Sequence, residues 1–348
     1  MNCWADKSVL VTGHTGFKGS WLSLWLMELG AKVIGYSLPA EPISHFSLTG
    51  MHEKMMHIEG DIRDAALFEE VVHTYRPDFI FHLAAQPLVL TSYDIPAETF
   101  EINVQGTVNV LEAARLAPFV KGILLITTDK CYENREWHFG YRENDALGGK
   151  DPYSASKAMA ELAIQSYQYS FSLNAASARA GNVIGGGDFS PQRILPDIAK
   201  GLIKGDSIPI RNPDSVRPWL HVLDALNGYL LIGDALLRHG KQYAQAWNFG
   251  PQENKGVSVR EVVEKGISVW GCGEWFYAPQ GGKAEMGLLR LNWDKAAHFL
   301  NWKPNYGWEE AVEQTIQWYR AYHEGENPYQ ISVAQLQNYL GNKFHEVY

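Results

Sequence analysis

The sequence is poor in cysteine and has no long apolar run. Its 348 residues hold three cysteines, Cys3, Cys131 and Cys272, which are too widely spaced for a disulfide framework or a paired thiolate metal site. No run approaches the roughly 18 apolar residues of a membrane span, and the first residues hold no apolar stretch of signal-peptide length. These absences favour a soluble protein of a reducing cytoplasm that has no membrane partner.

Positive charge is also scarce. The chain has 30 Lys and Arg against 39 Asp and Glu, for a formal net charge of -9 at pH 7. This balance argues against a protein that coats nucleic acid, without excluding local basic pockets. With 46% apolar residues the chain is not of the disordered class, and its length allows one large domain or two of ordinary size.

Short apolar runs alternate with amphipathic stretches in the first half of the chain. The predicted strands cover 8–12, 32–36, 79–83, 122–127 and 175–179. The predicted helices cover 20–29, 65–75, 100–116 and 153–171. This alternation predicts an α/β fold, in which helices cover both faces of a doubly wound parallel sheet. One more strand is expected at 244–249, and the rest of the C-terminal half reads as helical.

A glycine-rich string, Thr12-Gly13-His14-Thr15-Gly16-Phe17-Lys18-Gly19, follows the first strand directly and opens the first helix. Such glycines permit a tight turn and let the backbone approach a pyrophosphate, which then lies on the helix N-terminus. The string therefore predicts a dinucleotide site, against the alternative of a purely structural turn. The spacing Gly-x-x-Gly-x-x-Gly resembles that of the short-chain dehydrogenase/reductase superfamily.

The resemblance implies a Rossmann-type domain and a set of cofactor contacts. In the glycine string these are Gly13, Thr15, Gly16, Phe17 and Gly19. Further contacts are implied at Asp61, Ile62, Leu83, Ala84, Ala85, Gln86, Asn103 and Thr127. The second strand ends at Ser37 with neither the acid that selects NAD nor an arginine for a 2′-phosphate. NAD is the expected cofactor, and NADP stays the less favoured alternative.

Tyr153 and Lys157 are four residues apart, which puts a phenol and an ammonium on one face of a helix. Free tyrosine has a pKa of about 10, and a fixed cation nearby favours the phenolate, a usable base for a sugar hydroxyl. The spacing alone is common. Together with Thr128 at an earlier strand end, the pair resembles the catalytic trio of the extended short-chain dehydrogenases/reductases, in which both residues also contact the cofactor.

The string Thr128-Asp129-Lys130 narrows the resemblance to the nucleotide-sugar 4,6-dehydratases. These enzymes carry Thr-Asp-Glu at this place, sugar 4-epimerases lack the acid pair, and lysine in place of glutamate is typical of the CDP-glucose 4,6-dehydratases. The strings Gly140-Tyr141-Arg142-Glu143-Asn144 and Arg217-Pro218-Trp219 agree. The resemblance runs from about Val9 to near Tyr339.

This resemblance implies conversion of CDP-D-glucose to CDP-4-keto-6-deoxy-D-glucose, with internal hydride transfer through tightly bound NAD, in deoxysugar and lipopolysaccharide O-antigen biosynthesis. Tyr153 would deprotonate the 4-hydroxyl, Thr128 would hold that oxygen, and Lys157 would hold the nicotinamide ribose. Lys130 would remove the proton from carbon 5, and Asp129 would protonate the departing 6-hydroxyl. Because a free lysine has a pKa of about 10.4, a dry cleft and a neighbouring cation must make Lys130 more acidic.

A diphosphate substrate also needs cations, for which the planar fork of arginine is well suited. The predicted substrate contacts are Gln86, Asn182, Arg193, Arg211 and Arg217. By resemblance Asn182 and Arg217 contact the diphosphate and Arg211 the nucleotide end. Most of these residues lie in 181–218, a segment rich in Gly, Pro and Asp that predicts loops over a ligand cleft.

The predicted division of the chain follows from these placements. The cofactor domain comprises 1–180 and 217–250, and a smaller, mostly helical nucleotide-sugar domain comprises 181–216 and 251–348. The superfamily resemblance implies a homodimer, or a dimer of dimers, formed through the helices at 100–116 and 153–171. No metal is expected, because His52 and His57 are read as a surface loop and no third ligand lies near them.

Two rival functions remain open at this point. The first is a 4,6-dehydratase or 4-epimerase for another nucleotide sugar, since residue types alone do not reveal which base the pocket reads. The second is a non-catalytic relative that senses a dinucleotide and binds partners. Such relatives typically lose the tyrosine or the lysine, and both Tyr153 and Lys157 are present here.

Overall fold

A computed structural model describes residues 3–252, 256–279 and 289–344. Its strands are β1 (Ser8–Thr12), β2 (Lys32–Ser37), β3 (Met56–Glu59), β4 (Phe79–His82), β5 (Gly122–Ile126), β6 (Ala175–Ala180), β7 (Asn182–Ile184), β8 (Ile208–Ile210), β9 (Val216–Arg217), β10 (Trp219–His221), β11 (Ala246–Phe249), β12 (Val257–Ser258) and β13 (Trp275–Tyr277). Its α-helices are α1 (Phe17–Glu28), α2 (His45–Leu48), α3 (Ala65–Tyr75), α4 (Val89–Asp94), α5 (Pro96–Phe100), α6 (Gly106–Leu116), α7 (Pro152–Phe171), α8 (Ile194–Lys204), α9 (Val222–His239), α10 (Val259–Trp270), α11 (Asp294–Leu300), α12 (Trp308–His323) and α13 (Pro328–Phe344).

The centre of the described fold is a seven-stranded sheet in the order β11-β6-β5-β4-β1-β2-β3. Every neighbouring pair in it is parallel, so the carboxyl ends of all these strands meet at one edge. The strand order reverses between β1 and β4, which makes the switch point at which ligands bind in such sheets. The α/β fold class expected from the sequence is confirmed.

Alternate residues of each central strand enter two different apolar cores. In β1, Val9 and Val11 face a core that includes residues of α1 and α9, whereas Leu10 faces a core built with α3, α6 and α7. All three side chains are fully buried. Because both faces of the sheet are covered, its central strands β1 and β5 carry continuous apolar runs that do not alternate with polar residues.

The sequence prediction missed two elements of this fold. Strand β3 lies at the sheet edge, and its Met56 and Glu59 are exposed, so it lacks the apolar run that marked the other strands. His57 belongs to β3 and contacts His14, so the expectation of a surface loop at this residue is wrong. The segment 181–218 is likewise more than loops, because it contains the helix α8 and three short strand segments that complete small sheets.

The helices of the second half pack onto the sheet layer. Helices α8, α10 and α12 contact one another, and Trp219 and Trp318 join the same apolar core as α1 and α9. Strand β11 joins the sheet beside β6, which confirms the strand predicted at 244–249. In the described residues no helix is long and apolar enough to cross a membrane.

Candidate active site

A cleft opens at the carboxyl edge of the sheet. Its volume is about 360 Å³, within the range of small-molecule sites. The predicted site residues that line it are Phe17, Thr127, Thr128, Asp129, Lys130, Tyr153, Asn182, Arg193, Arg211 and Arg217. The structure therefore brings four of the five proposed catalytic residues, and the four proposed substrate-binding residues beyond β6, into one cavity. The fifth catalytic residue, Lys157, is buried behind the cavity and does not line it.

The glycine loop leaves β1 and passes close to the end of β4. Gly13 has a φ of +72°, and a Cβ atom built on it would lie 2.6 Å from the backbone nitrogen of Ala84. A Cβ atom on Gly19 would lie 2.1 Å from the carbonyl oxygen of Gly13. Both positions therefore require glycine. Gly16 is the N-cap of α1, so the unpaired N–H groups of the first helical turn are available to an anion at this edge.

The turn after β3 places Asp61 and Ile62 beside the end of β2. The hydroxyl of Tyr36 donates to the carbonyl oxygen of Asp61 over 2.8 Å, and Asn109 donates to that of Ile62 over 2.9 Å. A hydrogen bond from Arg63 holds the pKa of the Asp61 carboxyl below its usual value. At the end of β2 the hydroxyls of Thr15 and Ser37 lie 2.8 Å apart.

The loop after β4, Leu83 to Gln86, is fixed by the buried Asn103. The Asn103 amide accepts from the backbone nitrogen of Gln86 over 2.9 Å and donates to the Gln86 carbonyl and to Ser156 over 3.1 and 2.9 Å. The Gln86 side chain donates to Thr99 and accepts from the nitrogen of Leu88. Gln86 is outside the cleft lining, unlike the other predicted substrate contacts.

The first turn of α7 carries Tyr153 into the cleft. The carboxylate of Asp151 caps this helix by accepting from the nitrogen of Ser154 over 2.9 Å, and Pro152 occupies the first turn, where its missing N–H costs nothing. Burial raises the pKa of Tyr153 to about 12, and a hydrogen bond with Thr128 acts in the opposite direction. Without further positive charge the phenol therefore stays protonated at neutral pH.

Lys157 lies one turn further along α7 and is 5% exposed. Its Nζ donates to the carbonyl oxygen of Ile126, at the end of β5, over 3.2 Å. Burial lowers the pKa of Lys157 to about 8, although the nearby Glu161 carboxylate partly offsets this effect. An ammonium with so little hydration is a strong partner for any hydroxyl group that enters the cleft.

A short 3₁₀ turn after β5 presents the Asp129 and Lys130 side chains. Asp129 is 1% exposed, and its Oδ1 accepts from the Thr128 hydroxyl over 2.9 Å and from the Lys130 ammonium over 3.1 Å. Its Oδ2 is buried and has no hydrogen-bond partner in the described part of the chain. A buried, unpaired carboxylate oxygen is costly, which indicates that a ligand completes it.

Comparison with known proteins identifies the family to which this site belongs. The profile of the GDP-mannose 4,6 dehydratase family matches residues 10–315. The chain belongs to this family. The CDP-glucose 4,6-dehydratase of Salmonella typhimurium is 41% identical over 97% of this chain and 98% of its own length.

Solved structures similar to this family member include both dehydratases and epimerases. The dTDP-glucose 4,6-dehydratase of Bacillus anthracis, solved in complex with NAD, has a TM-score of 0.78 and 25% identity, and the match covers 93% of this chain and 99% of that one. The UDP-glucose 4-epimerase of Thermus thermophilus, also a complex with NAD, has a TM-score of 0.75 and 26% identity over 90% and 99% of the two chains. The fold alone therefore does not distinguish the two reactions.

Three features of this dehydratase-family site were missed by sequence reasoning. Lys18, inside the glycine string, lines the cleft, and the buried Asp188 holds Arg193 through a 2.8 Å ion pair. Lys18 was part of the glycine string and Asp188 lies in the predicted loops of 181–218, but neither assignment indicates which way a side chain points. The signal that could have identified Lys18 is its place in the first turn of α1, directly after Phe17, because that turn lies at the edge of the sheet where the cleft opens.

The third missed feature is a buried ion pair behind Lys157. Glu161 and Arg179 lie 2.7 Å apart, and both side chains are at most 1% exposed. Glu161 also accepts from the hydroxyls of Thr127 and Ser177. Burial alone would raise the pKa of Glu161, but the Arg179 charge and these hydrogen bonds lower it. In this family member a fixed negative charge therefore lies one helical turn from Lys157. The described residues hold no group of three His, Cys, Asp or Glu side chains suited to a metal ion.

Proposed function

We propose that the protein is a lyase that converts CDP-D-glucose to CDP-4-keto-6-deoxy-D-glucose, a precursor for deoxysugar synthesis. The observation that carries this proposal is the buried Oδ2 of Asp129, which has no partner among the described residues and belongs to the cleft of Lys130 and Tyr153. Loss of water from carbon 6 needs an acid beside the sugar to protonate the departing hydroxyl, whereas epimerisation at carbon 4 needs no such acid. The 41% identity to the Salmonella typhimurium enzyme supports CDP as the nucleotide.

The carboxyl edge of the sheet fits a nicotinamide dinucleotide. The narrow glycine loop leaves room only for backbone at Gly13 and Gly19, and the free N–H groups of α1 suit a pyrophosphate. NAD is favoured over NADP because Ser37 pairs with Thr15, and Arg63 is held by the Asp61 and Glu98 carboxylates. When bound, the cofactor supplies a reversible acceptor of hydride.

The first step is deprotonation of the 4-hydroxyl by Tyr153. Thr128, whose hydroxyl contacts the phenol, would hold the oxygen of that hydroxyl. With a pKa of about 12 the isolated phenol is almost entirely protonated at neutral pH, so formation of the phenolate depends on the Lys157 ammonium and on the positive charge of the oxidised cofactor. Lys157 would also donate to the ribose hydroxyls of the cofactor.

Elimination follows at carbons 5 and 6. The Lys130 amine would take the proton from carbon 5, which the new ketone at carbon 4 acidifies. The Asp129 carboxyl would give a proton to the departing 6-hydroxyl, which leaves as water. Carbon 6 would then receive the hydride that carbon 4 had given up, and Lys130 would return a proton to carbon 5. The sugar therefore loses one water molecule and undergoes no net change in redox state.

The substrate diphosphate would lie toward the segment beyond β6. Asn182 and the guanidinium groups of Arg193, Arg211 and Arg217 line that side of the cleft. Arg193 is held by Asp188, which fixes the orientation of its planar fork. Gln86 would act on substrate only through the loop that it orders, because its side chain is already bound to Thr99 and Leu88.

The enzyme would act as a homodimer, or a dimer of dimers, in the cytoplasm. Large apolar side chains of α6 and α7 are exposed in the single chain, among them Leu116, Met159, Leu162 and Phe171. A second copy packed on these helices would cover them. The three cysteines form no disulfide in the structure, which suits a reducing compartment. Sedimentation analysis of the purified chain tests the dimer.

A nucleotide-sugar panel in deuterated water tests the reaction. The enzyme is incubated with CDP-, dTDP-, UDP- and GDP-hexoses, and the products are analysed by NMR. We expect a 4-keto-6-deoxy product from CDP-glucose with deuterium at carbon 5, and none from a Tyr153→Phe control. A 4-epimer without deuterium at carbon 5 would contradict the dehydratase assignment. Turnover of a different nucleotide with CDP-glucose inert would contradict the assignment of the base.

A further inference from the structure

Lys18 is a basic residue of the cleft that has no role in the proposed reaction. It is the second residue of α1, and its side chain lines the same cavity as Tyr153, Asp129 and Arg193. It forms no hydrogen bond or ion pair with any described residue. By contrast, Lys157 donates to Ile126 over 3.2 Å, and Lys130 donates to Asp129 over 3.1 Å. Its amine is therefore available to a ligand.

The charges around Lys18 do not balance it. Asp129 and Asp188 are the nearby acids, but Asp129 accepts from Lys130 and Asp188 is paired with Arg193. Arg193 and Lys157 are like charges that repel an ammonium at this place. Burial first, and then these two cations, lower the pKa of Lys18 to about 7. The cleft thus holds an excess of positive charge that an anion would relieve.

We propose that Lys18 contacts a diphosphate group bound in the cleft. A diphosphate between Lys18 and Arg193 would replace the repulsion between the two cations by an attraction to each of them. Its oxygens would also accept hydrogen bonds from the Lys18 amine, for which the described residues supply no acceptor. This inference rests on the proposed function, because it requires a nucleotide diphosphate as ligand. Two such groups belong to that function, one in the sugar nucleotide and one in the dinucleotide, and their chemistry is the same.

Calorimetric titration with CDP, together with the amount of NAD that each purified variant retains, separates the two sources. Lys18→Met removes the charge and keeps the length of the side chain, Lys18→Arg keeps a cation, and Lys241→Met, on an exposed 3₁₀ turn, is the matched control. We expect one of the two nucleotides to bind the Met variant about ten- to a hundredfold more weakly, as for a lost charged hydrogen bond. The Arg variant should bind more tightly than the Met variant, which a folding defect would not produce.

Proton uptake gives a second readout that does not depend on activity. Because the pKa of free Lys18 is about 7, most of the amine is neutral at pH 8, and contact with an anion favours its protonated form. At pH 8 the wild-type protein should take up more protons on binding the affected nucleotide than either Lys18 variant, with a difference approaching one proton. Titrations in buffers of different ionisation enthalpy measure this difference.

The outcomes separate this inference from the function on which it rests. If the wild-type protein binds no CDP, the proposed function itself fails. If the wild type binds both nucleotides and Lys18→Met binds both equally well, the diphosphate contact is wrong. If the Met variant binds normally but stalls after oxidation of carbon 4, Lys18 acts on the sugar carbons, and the inference is overturned in favour of a second base.

Discussion

The Nζ atom of Lys130 lies 3.1 Å from Oδ1 of Asp129, so one proton can move within a single hydrogen bond between them. With the proton on nitrogen the two groups form an ion pair. With the proton on oxygen they are a carboxylic acid beside an amine, which are the acid and the base that loss of water needs. In the proposed reaction the pair would thus prepare for elimination without exchanging a proton with solvent. The lysine at this position would then need no net deprotonation by solvent.

Replacing Lys130 by alanine should separate the two halves of the reaction. In Lys130→Ala, Tyr153 and Thr128 are intact, so we expect CDP-glucose to be oxidised at carbon 4 and the absorbance of the reduced cofactor to rise. Release of the 4-keto-6-deoxy product should fall about 10²- to 10⁴-fold, as for other lost acid–base groups. Stopped-flow absorbance and product NMR measure both quantities. Lys241→Ala is the control, and dehydration at the normal rate in Lys130→Ala would exclude Lys130 as the base.

Asp129→Asn should stop the loss of water and also remove the group to which Lys130 passes its proton. The amide is similar in size to the carboxyl and still accepts from Thr128, but it does not supply a proton to the 6-hydroxyl. We expect a large drop in kcat with little change in KM. Deuterium should enter carbon 5 of recovered sugar in deuterated water increasingly as the pH is raised, because in this variant only solvent can take the Lys130 proton. Unchanged kcat, or an absence of exchange at carbon 5, would contradict the division of labour between Asp129 and Lys130.

Acid should unfold the protein through its buried histidines. Burial lowers the pKa of His14, His45, His82 and His221 to about 3, against 6.5 for a free histidine. Between pH 6.5 and 3 the unfolded chain binds more protons than the native one, so stability is full above pH 6.5 and falls as the pH drops. Each histidine should cost about 2 kcal/mol at pH 5.

Urea unfolding at pH 7, 6 and 5 checks this dependence. His221→Asn is the diagnostic variant, because His221 is the N-cap of α9 and asparagine also caps helices well. We expect the variant to lose less stability than the wild type between pH 7 and pH 5. Equal decreases in the free energy of unfolding of the two proteins would mean that His221 does not contribute to the acid sensitivity.

Breaking the buried Glu161–Arg179 pair should destabilise the fold strongly. Glu161→Gln leaves the Arg179 charge uncompensated in the core, at a cost of about 3–5 kcal/mol in the free energy of unfolding. The same exchange at the half-buried surface residue Glu112, which pairs with Arg115, should change stability little. The double variant Glu161→Gln, Arg179→Met should recover part of the loss in urea unfolding. A cost at position 161 no larger than at 112 would show that the buried pair contributes little.

Much of the sheet could be predicted from the sequence because its central strands are buried on both faces. Val9, Leu10 and Val11 enter two different cores, so all three must be apolar, and such a run is visible without a structure. Met56 and Glu59 in β3 are exposed at the edge, and the strand has no such run. Burial on two faces leaves a pattern in the sequence, and pairing of the backbone alone does not.

The sequence predicted which residues gather at the candidate site, but it did not predict which hydrogen-bond partners those residues have. The strings around Thr128 and Tyr153 indicated which side chains would gather at the cleft. The free Oδ2 of Asp129 and the absence of a described partner for Lys18 depend on distances between segments far apart in the chain. Gln86 illustrates the same limit, because its neighbours Thr99 and Leu88 take up the polar atoms that the sequence left for substrate.

The late return of β11 to the sheet affects how the chain can fold during synthesis. Strand β6 ends at Ala180, and its outer neighbour begins at Ala246, after the segment that supplies Asn182, Arg193 and Arg217. Until β11 itself has left the ribosome, the outer edge of β6 presents an unpaired row of backbone N–H and C=O groups. Such an edge pairs with strands of other chains and promotes aggregation. A nascent chain released before Phe249 would hold six of the seven described sheet strands and still be prone to aggregation.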